Sequence, residues 1–444
     1  MGYKWSYYNY YIFDEENFVI YNTKSGSVLA GETNLINEKD VHDNATKLEG
    51  QEFFGNLVAN GFVIDETTDE LEELKRLNYT YDEKTLHLTI VPTLDCNFAC
   101  PYCYQNGLHE HYYMSEKVRN LTLDFIKNIC EEYPIETVQL TWFGGEPTLS
   151  LEFIERFMAD LTNLSRSTVK FKTTTSIVTN GYLLTPEVFQ RLYRSYVRIF
   201  QITLDGAEYN HDSFRVLKTG QKTFHTIYKN LLDIKKMDKG YDFLIQVRAN
   251  FFKDNLKSME ELADAFCEDF ANEERFTISF RPILDFNGDF EKDVATKIEA
   301  RQLEAYMLNY LQKKNISINE DNPMFTLLPM PVARWCKAGE KLRYVINYDG
   351  HIYRCDSALI SSKYSIGKLE SNGKVLIDKE QEMKWNSSPF IDVSSTCLKC
   401  KRLPICMGGC AKEILDYKKK PCHWTDSYIK DVMKKILLER RKRD

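Results

Sequence analysis

Thr85-Leu-His-Leu-Thr-Ile-Val-Pro-Thr-Leu-Asp-Cys-Asn-Phe-Ala-Cys-Pro-Tyr-Cys-Tyr104 joins an apolar, β-branched run to three closely spaced cysteines. The run over residues 85–91 predicts a strand. Cys96, Cys100 and Cys103 then follow in one loop, spaced C-x3-C-x2-C. Three thiolates leave one of the four irons of a [4Fe–4S] cluster without a protein ligand. An open metal position is where a substrate or cofactor binds and chemistry starts. The spacing differs from the two-residue gaps of ferredoxin runs and from the paired C-x2-C of zinc sites.

Working outward, further strands are predicted over residues 136–142, 172–178, 197–203, 243–250 and 276–280. Helices are predicted between them over 115–131, 151–164, 186–196, 222–237 and 256–271. This alternation predicts an α/β fold, a (β/α)6 partial TIM barrel. In such barrels the functional groups gather at the C-terminal ends of the strands, which is where the cysteine loop falls. Other strand ends carry Phe143-Gly-Gly-Glu-Pro147, Thr179-Asn-Gly181, and Leu204-Asp-Gly206 leading into His211-Asp-Ser-Phe-Arg215. Glycines let backbone approach a ligand closely, and a carboxylate accepts hydrogen bonds from a cationic amine. Gly-Gly-Glu alone is weak and more often marks a plain turn; the weight lies in the co-occurrence of the motifs on one predicted face.

Loop and strand-end motifs together resemble the core of the radical S-adenosylmethionine (SAM) enzymes, over roughly half the chain. The resemblance implies that the open iron is chelated by the amino and carboxylate groups of SAM's methionine part. It places Gly144, Gly145 and Glu146 at the methionyl amine, and Asn180 and Asp205 at ribose hydroxyls or nearby polar groups. It places Arg215 at the methionyl carboxylate and Tyr102 near adenine. Arg215 and Arg248 also read as ordinary ion-pair partners at the barrel mouth. Cys130 and Cys267 stand alone on amphipathic helices, as small buried hydrophobes. His109 and His111 flank the loop without a partner at ligand spacing and read as surface residues.

The C-terminal part carries Cys336, then Gly350-His-Ile-Tyr-Arg-Cys355, then Cys397-x2-Cys400-x5-Cys406-x3-Cys410, then Cys422. Taken alone, C-x2-C is a zinc knuckle or a ferredoxin-like fragment. The full arrangement resembles the seven-cysteine SPASM domain, which binds two auxiliary [4Fe–4S] clusters. The cofactors implied are therefore three [4Fe–4S] clusters and SAM. The resemblance gives Cys397, Cys400, Cys406 and Cys422 to a distal cluster, and Cys336, Cys355 and Cys410 to a nearer one. Seven thiolates are one short of full ligation, because Pro329-Met-Pro-Val-Ala-Arg-Trp335 lacks the eighth cysteine that the pattern sometimes includes. Asp356 occupies the position of a general base in the sulfatase-maturating branch, and reads equally as a turn-capping residue. Asp349-Gly350 reads as a hairpin turn.

Residues 1–85 hold no cysteine. Tyr10-Tyr-Ile-Phe, Phe18-Val-Ile-Tyr and Ser27-Val-Leu-Ala30 predict strands, polar helical stretches follow, and Gly61–Asp65 predicts another strand. That order predicts a winged helix-turn-helix-like unit and resembles the leader-recognition element of peptide-modifying radical SAM enzymes. The expected domains are 1–85 for leader binding, 86–310 for the radical SAM core and 311–444 for the SPASM domain.

A chain of 444 residues, 43% apolar and 28% charged, is an ordinary globular protein of two or three domains. Its net charge of −7 argues against a nucleic-acid partner. The basic runs at Lys418–Lys420 and along 434–443 read as solvated helix faces or as a docking edge for an acidic redox partner. No apolar run approaches the ~20 residues of a membrane span, and the N-terminus lacks a signal pattern. A cytoplasmic location follows, where clustered thiols mean metal or catalysis.

The expectation is a peptide maturase. A flavodoxin or ferredoxin supplies an electron, SAM yields a 5′-deoxyadenosyl radical, and hydrogen is taken from a precursor peptide held by its leader. The preferred product is a thioether. Alternatives are a C–C or C–O cross-link, or formylglycine formed by a sulfatase maturase. A non-enzymatic iron–sulfur carrier or zinc scaffold is the reading of another class.

Overall fold

A computed structural model describes residues 2–103, 105, 111–283, 297–314, 328–359, 361–390, 396–418 and 421–440. Contacts gather the chain into two compact units: Met1–Tyr81 with Ile318–Gly339 and Asn386–Asp444, and Asp82–Ser317 with Glu340–Trp385. The last third of the chain is thus shared between them.

In the first unit, β1 (Tyr3–Trp5) pairs antiparallel with the later strand β5 (Val63–Asp65). Between them, β2 (Asn9–Phe13), β3 (Asn17–Asn22) and β4 (Val28–Glu32) form an antiparallel sheet. The turn from β2 to β3 is set by Asp14, whose Oδ1 accepts from the amides of Glu16 and Asn17. That Asx turn fixes the register Phe13↔Phe18. Phe18, Ile20, Ile36, Leu57, Phe62 and Val63 share one buried core. Helix Asp426–Arg440 packs on β2 and β3. It buries Ile429, Val432, Met433 and Ile436, which recur at the three- and four-residue spacing of one helix face. The strands expected around 10–13, 18–21 and 27–30 are all present. β1 was not foreseen, since Tyr3-Lys-Trp5 is too short to show alternation.

The second unit is an α/β layer built on β6 (Thr85–Thr93), β7 (Thr137–Gly144), β8 (Lys172–Thr179), β9 (Val197–Thr203), β10 (Leu244–Phe251) and β11 (Phe276–Pro282). All six are parallel and lie in chain order across the sheet, as in a radical SAM partial barrel. Helices Glu116–Glu132, Leu151–Ser167, Pro186–Arg194, Phe224–Lys235 and Leu256–Phe270 make the crossovers. Their starts are specified locally. Ser115 Oγ accepts from Val118 N, and Thr185 Oγ1 accepts from Val188 N ahead of Pro186. Each such cap is worth about 1 kcal/mol. The sheet then continues beyond β6. β12 (Arg343–Ile346) adds parallel to it, and β13 (His351–Tyr353), β14 (Gly367–Leu369) and β15 (Val375–Ile377) follow antiparallel. Gly350, at φ +81°, closes the β12–β13 hairpin as Asp349-Gly350 predicted. Among the described residues no helix is long and apolar enough to cross a membrane.

Candidate functional site

The cysteine loop leaves β6 through an irregularity between Ile90 and Thr93 and is clamped along both sides. On one side Ala99 N donates to Val216 O at 3.0 Å and Lys218 N to Asn97 O at 2.9 Å, with a bridge between Phe98 and Leu217. On the other, Gly145 N donates to Thr93 O at 3.1 Å and Glu146 N to Asp95 O at 2.8 Å. The need for glycine follows from this second clamp. A Cβ on Gly144, itself at φ +137°, would stand 2.2 Å from Thr93 O, and one on Gly145 would stand 2.1 Å from Asp95 O. Close approach is indeed the reason for the two glycines, but what they approach is the cysteine loop's own backbone.

Asp95 anchors the loop. Its Oδ1 accepts from Cys96 N (2.9 Å) and Lys218 Nζ (2.8 Å), and its Oδ2 from Tyr113 OH (3.2 Å). His111 Nδ1 lies 3.1 Å from the same oxygen although the ring is 90% exposed, so this surface histidine does have a partner. His109 lies outside the described residues. Burial pushes the Cys96 thiol up to about 12, and raises those of Cys100 and Cys103. Three thiols desolvated together stay protonated unless a cation joins them. The iron of a cluster is such a cation.

Glu146 follows the two glycines. Its side chain is fully buried. Oε1 accepts from Thr148 N (3.0 Å), Thr148 Oγ1 (2.6 Å) and Thr179 Oγ1 (2.7 Å), and Oε2 from Asn180 N (2.7 Å). A carboxylate so occupied braces the ends of β7 and β8 against each other. Asn180 in turn donates from Nδ2 to Asn97 Oδ1 at 2.7 Å, which ties the end of β8 to the cysteine loop.

Half-buried Tyr102 and buried Asp205 and Arg215 form one cluster. Tyr102 OH donates to Asp205 Oδ2, Arg215 Nη1 donates to Tyr102 OH at 2.8 Å, and the Arg215–Asp205 ion pair spans 3.8 Å. Asp205 Oδ1 also lies 3.3 Å from Asn250 N and 3.4 Å from Asn250 Nδ2. Burial pushes the Asp205 carboxyl up, while Arg215 and the Tyr102 hydroxyl pull it back. The barrel-mouth ion pair read for Arg215 is therefore present. Arg248 donates from Nε to Asn250 Oδ1 at 3.0 Å. Two donors in this region, Arg215 Nε and Asn97 Nδ2, are buried without a partner among the described residues. Unsatisfied buried donors are costly, and they are what an anionic, hydrogen-bond-accepting ligand such as SAM's carboxylate would satisfy. The donor set fits the cofactor pair. Asp95, Lys218, Asn250 and Thr223 were not singled out from sequence. His211 was quoted but given no role.

In the first unit, Cys397, Cys400, Cys406 and Cys422 line one cavity with Arg402, Leu403 and other residues. Cys397 and Cys400 are set by a 3-10 turn in which Cys400 N donates to Cys397 O at 3.0 Å. Cys406 ends the short helix Leu403–Cys406, and burial raises its thiol to about 11. Met407, Gly408 and Gly409 then all take positive φ and swing the chain round to Cys410. Cys336 is exposed, and Cys410 precedes helix Ala411–Tyr417. Cys355 lies in the second unit, its Sγ 3.8 Å from Asp356 Oδ1, which also accepts from Ser357 N. Asp356 opens the 3-10 turn Asp356–Ala358, which has no side-chain cap bond. Cys130 and Cys267 are half-buried on their helices.

Residues 90–267 match the model of the Radical SAM superfamily. The chain is 24% identical over 351 residues to a cysteine-type anaerobic sulfatase-maturating enzyme of Clostridium novyi, covering 74% of this chain and 88% of that protein. It is 24% identical over 431 residues to the radical SAM cyclopropyl synthase TigE of Paramaledivibacter caminithermalis, covering 89% and 83% respectively. In structure it resembles Streptococcus suis SuiB, solved bound to the precursor peptide SuiA, with a TM-score of 0.54 and 17% identity over 96% of this chain and 99% of that one.

Proposed function

We propose, for a chain that is a radical SAM enzyme related to the anaerobic sulfatase-maturating enzymes, SuiB and TigE, that it modifies a ribosomally made precursor peptide. The observation that carries this reading is the four-thiol cavity of Cys397, Cys400, Cys406 and Cys422, an auxiliary cluster site of the kind peptide-acting radical SAM enzymes use. Its unit also contains the N-terminal sheets, and SuiB, solved with its precursor peptide, matches over most of the chain.

Bound together, SAM and a reduced [4Fe–4S] cluster supply a carbon-centred radical that removes hydrogen from an unactivated C–H bond. The residues divide the remaining work. Cys96, Cys100 and Cys103 hold that cluster. The backbone around Gly144 and Gly145, with Glu146 as its brace, faces the methionyl amine. Asn180 and Asp205 face the ribose, Tyr102 lies near adenine, and the open Nε of Arg215 takes the carboxylate. Two auxiliary clusters bring the total to three, one of them in the four-thiol cavity. Residues 1–85 hold the leader, and a flavodoxin or ferredoxin delivers electrons in the cytoplasm.

The product reading is a thioether. Closing that bond would remove two hydrogens from the peptide, one as an atom and one as a proton, and a cluster held by the C-terminal thiolates would supply the acceptor for the one electron left over. Asp356 is the side chain proposed to take the proton. The missing eighth thiolate supports a site for a substrate sulfur. Ring closure between carbons is the second reading, favoured by the extent of the match to a cyclopropyl synthase. Co-expression with a small peptide encoded beside this gene tests both. A loss of about 2 Da with one thiol blocked to alkylation supports the thioether. The same loss with every thiol free supports the carbon–carbon product, and an unmodified peptide overturns the maturase reading for that peptide.

A further inference from the structure

His211 is wholly buried on the seven-residue helix Glu208–Phe214, between Asp205 and Arg215. Its Nδ1 accepts from Asp205 N at 3.1 Å. Its Nε2 lies 3.0 Å from Thr223 Oγ1, and the Thr223 hydroxyl bonds Arg215 O. The ends of this chain fix every proton in it. A backbone N–H can only donate, so Nδ1 is the bare nitrogen and Nε2 carries hydrogen. A backbone carbonyl can only accept, so the Thr223 proton points to Arg215 and its lone pair takes Nε2–H. Only the neutral Nε2–H imidazole fits. Burial, with the Arg215 cation nearby, holds this histidine well below its ordinary range, in keeping with the neutral form.

We propose that His211 and Thr223 are positioning residues for SAM, a relay that sets the spacing between Asp205 and Arg215. The inference rests on the assignment of those two residues to the SAM site. Helix Glu208–Phe214 cannot supply that spacing itself. It is about two turns long, has no side-chain N-cap bond, and ends in non-helical backbone at Arg215, and isolated helices of this length are not stable. The relay replaces that missing rigidity with bonds to the backbone at both ends. Thr223 is held in its turn by Asp212 Oδ1, which accepts from Thr223 N at 3.0 Å and Phe224 N at 2.9 Å. Beyond Arg215, Val216 and Lys218 bond the cysteine loop through their own backbone, so slack in the relay would reach the SAM contacts while the loop stays held.

The test uses the full-length enzyme reconstituted anaerobically, with SAM affinity measured by equilibrium dialysis and iron content and melting temperature measured alongside. Thr223→Val keeps the shape but removes the hydroxyl, and should weaken SAM binding about tenfold with iron unchanged. Thr223→Ser restores the hydroxyl and should stay within about twofold of the parent. His211→Asn keeps an acceptor for Asp205 N but drops the link to Thr223; it should match Thr223→Val, and it carries the test if that variant does not fold. Parent-like affinity in Thr223→Val, or equal weakness in Thr223→Ser, overturns the relay. A parent enzyme that binds no SAM overturns the underlying SAM site, and the relay with it.

Discussion

Thr23 donates its hydroxyl to the backbone carbonyl of Lys401 at 2.6 Å, tying the β3–β4 turn to the C-x2-C loop of Cys397 and Cys400. Two neighbours repeat the tie: Tyr7 OH donates to Lys399 O at 2.7 Å, and Lys401 Nζ to Asn9 O at 2.9 Å. Lys401 also lies within 6 Å of the rings of Tyr7, Tyr10 and Tyr11. The N-terminal sheets therefore form part of the scaffold on which the loop of Cys397 and Cys400 is set. Deleting residues 1–81 is expected to cost the distal cluster, lowering iron by about four atoms per chain. Iron and acid-labile sulfide counts check this. Unchanged counts would show that the thiol loop folds without the sheets.

Gly145→Ala should strike the cysteine loop directly. The added methyl would meet Asp95 O at 2.1 Å and Leu94 O at 2.4 Å, both backbone atoms that cannot swing away. A destabilisation of about 1–3 kcal/mol and loss of the first cluster are expected. Gly55→Ala is the control. Gly55 lies inside helix Phe54–Ala59, and its Cβ would meet nothing within 4 Å. It should be neutral or stabilise by up to about 1 kcal/mol. Thermal melts of the two variants side by side distinguish a steric clash from a general intolerance of substitution.

Glu146→Gln tests the brace. Four donors converge on this carboxylate, and an amide would turn an NH2 towards some of them. The mismatch should cost about 1–3 kcal/mol of stability. Because the brace spans the ends of β7 and β8, SAM affinity should fall as well. If stability is untouched while SAM binding alone is lost, the side chain meets the ligand directly after all.

Much of this was legible in the chain itself. The strand expected over 197–203 is β9, and the cysteine loop falls where strand-end chemistry belongs, because alternation and loop position are local properties of sequence. What was not legible is non-local. The role of Glu146 depends on Thr179 and Asn180, more than thirty residues away. The addition of β12 beside β6 pairs Arg343 with His87 across most of the chain. His211 was quoted inside a motif, yet its purpose emerges only when Asp205 N and Thr223 Oγ1 are seen at its two nitrogens. The four thiols of the cavity were grouped by resemblance, and the structure brings them together.

The two cysteine fields should separate by mutation. Cys100 lies in the loop clamped between Gly145 and Val216, whereas Cys406 lines the cavity of the other unit. Loss of a thiolate from either set should remove that cluster's contribution and leave the other in place, because each is held by its own local frame. Cys100→Ala is then expected to form no 5′-deoxyadenosine while retaining about eight irons per chain. On the proposed reading, in which a cluster at the four-thiol site would take up the substrate's electron, Cys406→Ala is expected to keep cleaving SAM yet release peptide without a new bond. Anaerobic assays of 5′-deoxyadenosine and of peptide mass on the same samples read both outcomes. If Cys406→Ala makes cross-linked peptide at the parent rate, the four-thiol site is structural. If Cys100→Ala still cleaves SAM, the first loop is not where that chemistry occurs.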